Sequence, residues 1–88
     1  MISPFQKVNG KLEAEFSFPD FKEALAFVNG VAVIAEEEKH HPDIFLTWGK
    51  VKVTLWTHEA NQVTKLDYLL AERIFLWHSL SKKSQAQA

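Results

Sequence analysis

The sequence contains no cysteine. Disulfides and thiolate–metal sites are therefore excluded, and cysteine usage gives no reading of the redox compartment. Neither sign of charge is in excess: ten Lys and Arg against eleven Asp and Glu give a formal net charge of −1. The basic residues are dispersed apart from Lys82-Lys83, so no phosphate-binding stripe forms and direct nucleic-acid binding is not expected. No apolar run approaches the length of a membrane span. The opening Met1-Ile2-Ser3-Pro4-Phe5 lacks the charged region and apolar stretch of a signal peptide. The expectation is a cytoplasmic domain with no membrane partner.

What is present is enough for a core. Of 88 residues, 47% are hydrophobic and 12% aromatic, which is not a disordered composition. One domain is expected over residues 1–80, with 81–88 as a polar, frayed C-terminal tail.

The periodicities divide that domain into two similar halves. Asn9-Gly10 is a strong type I′ turn signal, because Asn and Gly tolerate positive φ. After it, Leu12, Ala14, Phe16 and Phe18 alternate with Glu13, Glu15 and Ser17, as a half-buried strand requires. Asp20 with Glu23 makes a capping-box pattern for a first helix. Phe21, Leu25, Val28, Ala32 and Ala35 form its expected apolar stripe. Gly30 weakens that helix by about 1 kcal/mol relative to Ala, or else permits close packing. Pro42 disfavours helical geometry at His41, so the helix should end near His40. A second hairpin is expected over Asp43–Trp48 and Lys50–Thr57, turning around Gly49, with His58 at the strand end on the non-core face. A second helix should begin at Thr64 and turn Leu66, Leu69, Leu70, Ile74 and Trp77 to the sheet. This ββαββα order predicts an α+β fold: a four-stranded antiparallel sheet with two helices on one face.

Three of the four histidines fall in one polar constellation with carboxylates: Glu36, His40-His41-Pro42, Thr57-His58-Glu59 and Asp67. Imidazole exchanges protons most readily near neutral pH, so the pattern points to acid–base chemistry or metal binding. A helix C-terminus favours imidazolium at His40 and His41, and Glu36 one turn back pushes the same way. Each residue also has a structural explanation. His40 and His41 suit helix C-capping, and His58 suits an exposed strand end. Asp67 suits the third position of the second helix, reaching back to its cap. Trp48 and Trp56 suit sheet-face packing or a flat wall for a planar ring, and His78 reads as a helix-end residue. A three-histidine zinc site is disfavoured because the adjacent side chains of His40 and His41 diverge. No metal is expected.

The combined spacing Glu36-x-x-x-His40-His41-Pro42, five residues, Trp48, nine residues, His58, eight residues, Asp67 resembles the signature of the pterin-4a-carbinolamine dehydratase family. Phe16-x-Phe18-x-Asp20-Phe21, Val51-x-Val53, Thr57-His58, and Thr64-x-x-Asp67 followed by Leu70-Ala71 extend the likeness over residues 5–78. The resemblance implies dehydration of 4a-hydroxytetrahydropterin to quinonoid dihydropterin, in recycling of the tetrahydropterin cofactor of aromatic amino acid hydroxylases. It implies no metal and no organic cofactor. Carried over position by position, His40 and His58 would be catalytic, with Asp67 assisting or orienting. His41 would line the pterin site, with Glu36, Pro42, Trp48 and Thr57 as further substrate-binding positions. His40 is taken as the acid and His58 as the base.

The chain departs from the family pattern in places. Asn61-Gln62 stands where members usually carry a glycine pair, and Ile44 where many carry tryptophan. A counterpart of the family's usual N-terminal helix is not expected within this sequence. The family also implies a homodimer or homotetramer. The alternative to an enzyme is a non-catalytic protein-binding, dimerisation or assembly module, with a protein partner in a regulatory role.

Overall fold

The computed structural model describes the backbone of residues 4–87 and the side chains of residues 4–80. Met1–Ser3 of the opening segment and the side chains of Lys82 and Lys83 lie outside the described residues. Strand β1 (Gln6–Val8) and strand β2 (Lys11–Ser17) are joined by Asn9 at φ 52° and Gly10 at φ 78°, the left-handed pair that a type I′ hairpin needs. Helix α1 (Phe21–Glu38) follows, capped by Asp20, whose carboxylate accepts the Glu23 N–H at 2.8 Å. Strands β3 (Asp43–Thr47) and β4 (Lys50–Leu55) form the second hairpin, and helix α2 (Lys65–Gln87) closes the order. Helical backbone thus continues through the expected polar tail as far as Gln87.

The sheet is antiparallel with strand order β1-β2-β4-β3. Its centre is the β2–β4 pair, in which Leu12 opposes Leu55, Ala14 opposes Val53 and Phe16 opposes Val51. These six side chains point to one face and are buried. They share a single core with Ala24, Phe27, Val31 and Ile34 of α1 and Leu70, Ala71 and Ile74 of α2, so both helices lie on that face. The opposite face carries Lys50–Glu15 and Lys52–Glu13 pairs at 3.9 and 3.4 Å. Exposed ion pairs of this kind contribute about 0.2–1 kcal/mol each.

The apolar stripe of α1 is rotated from the expected one. Ala24, Phe27, Val31, Ile34 and Ala35 are buried, whereas Phe21 and Leu25 are exposed and Ala32 faces outward. The helix carries apolar residues on more than one face, so spacing alone did not fix its rotation. On α2, Leu70 and Ile74 are buried as expected, but Leu69 is exposed. Gly30 is a close-packing glycine: a Cβ there would overlap the Trp77 indole, whose Nε1–H donates to the Phe27 carbonyl at 3.1 Å. His78 is not at a helix end. It sits inside α2 among Phe16, Phe18 and Phe27, with ring centroids 4.8, 5.7 and 5.6 Å away.

Candidate active site

Two chain reversals bring the histidine segments together. The first ends α1. Lys39 adopts the left-handed conformation at φ 53° and its N–H bonds to the Glu36 carbonyl at 3.3 Å. The next N–H, of His40, bonds to the Ala35 carbonyl at 3.1 Å, which completes a Schellman cap. Left-handed geometry at a non-glycine residue costs roughly 1–2 kcal/mol, and such strain is tolerated where surroundings over-determine it. The helix thus stops at Glu38, before Pro42 could act, and His40 lies just beyond it.

The second reversal follows β4. Thr57 and Gln62 form an isolated antiparallel bridge, with Thr57 N to Gln62 O at 3.0 Å and Gln62 N to Thr57 O at 3.3 Å. His58 occupies the turn inside this bridge rather than the strand itself, and its carbonyl accepts from Asn61 N at 3.1 Å. Asn61 takes φ 53°. Gln62 is not among the positive-φ residues, so the turn needs only one left-handed position. Asparagine fills it at low cost, which is how Asn61-Gln62 keeps the loop closed without a glycine pair.

Asp67 is the polar centre of the site and is fully buried. Its Oδ1 accepts from His40 Nε2 at 2.5 Å. Its Oδ2 accepts from Thr57 Oγ1 at 2.7 Å and from the Thr64 backbone N–H at 2.9 Å. The last contact is the reach-back half of a capping box at the start of α2. Helix capping and the histidine contact therefore hold at once, one on each carboxylate oxygen. Burial pushes this carboxyl up. Hydrogen bonds from His40, Thr57 and the Thr64 N–H, with the charge of His40, outweigh that and leave it below the ordinary carboxylate value. An ionised carboxylate only accepts, so the proton between the pair belongs to His40 Nε2. The other ring nitrogen, Nδ1, makes no hydrogen bond among the described residues.

Glu36 is paired with His41, not His40: its Oε2 lies 2.5 Å from His41 Nε2. That pair is exposed. A cavity of about 230 Å³ lies between the two reversals, lined by Lys39, His40, His41, Trp56, Thr57, His58 and Glu59. The His58 ring stacks on Trp56 with centroids 4.1 Å apart at 34°. Lys11 Nζ lies 4.4 Å from the Trp56 ring centroid, a cation–π contact. Trp56 Nε1 is buried without a partner among the described residues.

The structure therefore brings His40, His41, Thr57 and His58 to one cavity, with Asp67 behind it. Pro42 is half-buried just after this group. Trp48 is elsewhere: with Phe45, Gly49 and Lys50 it lines a separate groove on the open sheet face, and Trp56 is the tryptophan at the histidines. Lys39 and Lys11 escaped the sequence reading, and Glu59 figured there only as the carboxylate next to His58. Lys11 was recoverable in principle, because extending the Leu12–Leu55 register by one pair sets it opposite Trp56. Among the described residues no three or more His, Cys, Asp or Glu side chains converge as metal ligands, and no helix is long and apolar enough to cross a membrane.

The family described as pterin 4 alpha carbinolamine dehydratase matches residues 5–75. The chain belongs to that family. It is 48% identical over 63 residues to a protein of Alkaliphilus metalliredigens named "Putative pterin-4-alpha-carbinolamine dehydratase", covering 72% of this chain and 57% of that one. A protein of the same name in Rickettsia bellii is 41% identical over 68 residues, covering 77% and 60%. The chain thus spans less than two thirds of these relatives. The crystal structure of a transcriptional coactivator/pterin dehydratase from Brucella melitensis superposes with a TM-score of 0.80 at 37% identity, covering 84% of this chain and 81% of that one. A pterin dehydratase-like protein identified as a RuBisCO assembly factor in the alpha-carboxysome shares the fold, with a TM-score of 0.70 at 22% identity over 88% of this chain and 89% of its own.

Proposed function

We propose that this chain dehydrates a 4a-hydroxytetrahydropterin to the quinonoid dihydropterin by histidine acid–base catalysis. The observation that carries the reading is the buried Asp67 holding His40 by Nε2 at 2.5 Å, with His58 on the same cavity. In the reaction the C4a–O bond breaks, a proton joins the departing hydroxyl to give water, and the N5 proton leaves as the N5–C4a double bond forms. One protonated and one neutral imidazole meet both needs, each worth about 10²–10⁴-fold. His40 is assigned the acid and His58 the base. The carboxylate that supports His40 is Asp67, in place of the Glu36 suggested by sequence spacing. Trp56 backs the His58 ring that stacks on it, and the His41–Glu36 pair forms the polar rim. This chemistry calls for neither a metal nor an organic cofactor.

Stopped-flow turnover of freshly generated 4a-hydroxytetrahydropterin tests this. The expected result is acceleration over the spontaneous dehydration; no acceleration by folded protein removes the dehydratase reading. If His40→Ala keeps near-normal turnover while His58→Ala abolishes it, the acid–base assignment is wrong.

A second reading has its own observation. Phe45 and Trp48 are exposed beside a groove of about 880 Å³ on the open sheet face, away from the histidines. Such a surface suits a protein-binding or assembly role like that of the carboxysomal protein sharing the fold. A homo-oligomer and a cytoplasmic location belong to the same proposal. Light scattering at micromolar concentration tests the assembly, and a monomeric mass contradicts it.

A further inference from the structure

The geometry points to Thr57 as a positioning residue whose hydroxyl ties the two candidate catalytic histidines together, rather than as a substrate contact. It rests on the dehydratase reading for its kinetic test only. Thr57 precedes His58 in the chain, and the Thr57–Gln62 bridge holds its backbone. Its side chain reaches the other way, donating to Asp67 Oδ2 at 2.7 Å, while Asp67 Oδ1 accepts from His40 at 2.5 Å. The path from His58 to His40 is therefore one peptide link and two hydrogen bonds.

A hydroxyl has one proton to donate. The short contact commits that of Thr57 to Asp67, which can only accept. Thr64 Oγ1, 2.8 Å from Thr57 Oγ1, is then the donor in that pair, and its distance of 3.5 Å from Asp67 Oδ2 is the weaker contact. Thr57 is left with no proton for a substrate, although it lies on the cavity wall. Thr64 thus orients Thr57, Thr57 orients Asp67, and Asp67 fixes the ring and tautomer of His40. The strut joins a turn after β4, the first turn of α2 and the segment after α1. These elements are far apart in sequence, and the spacing of the histidines depends on all of them.

The test compares Thr57→Val, which keeps the branched shape and removes the hydroxyl, with Thr57→Ser, which restores it. Misplacing a catalytic group by about an ångström costs up to about 10²-fold. Thr57→Val is expected to lower kcat about ten- to hundred-fold with KM within two-fold, and Thr57→Ser to recover most of it. Nitrogen-15 NMR of the imidazoles reads the same link without any substrate. At alkaline pH, where a neutral imidazole carries a single ring proton, wild type and Thr57→Ser should show that of His40 on Nε2, and Thr57→Val should lose that single tautomer. Should Thr57→Val fold poorly, the wild type alone decides: the Thr57 hydroxyl proton should exchange slowly enough to give a resolved resonance. A raised KM with intact kcat, an unchanged His40 tautomer in folded Thr57→Val, or a freely exchanging Thr57 hydroxyl overturns the proposal. If wild type shows no dehydratase activity yet the His40 tautomer depends on Thr57, the strut stands and only the reaction assignment fails.

Discussion

Among the described residues, two histidine–carboxylate pairs of equal length have opposite surroundings. His40–Asp67 and His41–Glu36 both measure 2.5 Å. The first has side chains 12% and 0% exposed, the second 63% and 76%. Neighbours in sequence have thus been sent to different environments by one left-handed residue, Lys39. Distance alone does not rank the two. An exposed pair is screened and its partners lose rotamer freedom, so it contributes about 0–1 kcal/mol. A buried carboxylate with both oxygens engaged has no cheap alternative when a partner is removed. The buried pair is held to one geometry, and the exposed pair is free to rearrange.

The largest effect expected from this contrast is at Asp67. Asp67→Ala leaves His40 Nε2, the Thr57 hydroxyl and the Thr64 N–H without their acceptor. Losses of this kind cost about 3–5 kcal/mol, and chemical denaturation should show a midpoint shift of that order. A change below about 1 kcal/mol, the range of an exposed pair, would erase the distinction between the two pairs.

A smaller effect is expected in acid. The folded-state value of Asp67 is depressed below its ordinary 3.8, so between the two values the unfolded chain binds more protons than the folded one. Stability from this group is complete above the ordinary value and is lost as pH falls through the lowered one. Thermal unfolding followed from pH 5 downward should therefore decline less steeply for Asp67→Asn than for wild type. Parallel acid limbs would show that the folded state does not favour the ionised carboxylate.

The exposed pair should give the least. Glu36→Gln is expected to change stability by no more than about 0.5 kcal/mol, with what effect there is fading at high salt. A loss as large as that from Asp67→Ala would mean that the exposed pair is as costly to remove as the buried one. Lys39→Gly, which relieves the left-handed strain that separates the pairs, should raise stability by roughly 0.5–1 kcal/mol. A drop in melting temperature would mean that the lysine side chain holds the turn.

The fold was legible because its local signals agree. Asn9-Gly10, the alternation of Leu12 to Phe16 and the Asp20–Glu23 cap each state one structure, and the structure adopts them. The rotation of α1 was not legible, since Phe21 and Leu25 offer an apolar stripe as good as the one that is buried. His78 was misread because its partners, Phe16, Phe18 and Phe27, come from other elements. At the site, spacing grouped the histidines that meet at one cavity and gave the capping role of Asp67, but it paired Glu36 with the helix-end histidines as a group. The αL turn at Lys39 sends His41 to Glu36 and His40 across the fold to Asp67, 27 residues on. A single left-handed lysine leaves no periodic trace, and tertiary hydrogen bonds leave none either. Trp48 and Trp56 differ for a related reason. Both are near strand ends, but only the β4 end meets the turn after α1.

Under the proposed function, the buried pair serves the chemistry and the exposed pair serves the rim. Steady-state constants for Asp67→Asn and Glu36→Gln with freshly generated 4a-hydroxytetrahydropterin test it most directly. Asp67→Asn is expected to lower kcat about 10²-fold, within the range of acid–base contributions, with KM little changed. Glu36→Gln is expected to raise KM a few-fold and leave kcat within about two-fold, as removal of a uniform binding contact does. Equal losses of kcat in both variants, or no loss in Asp67→Asn, would contradict it.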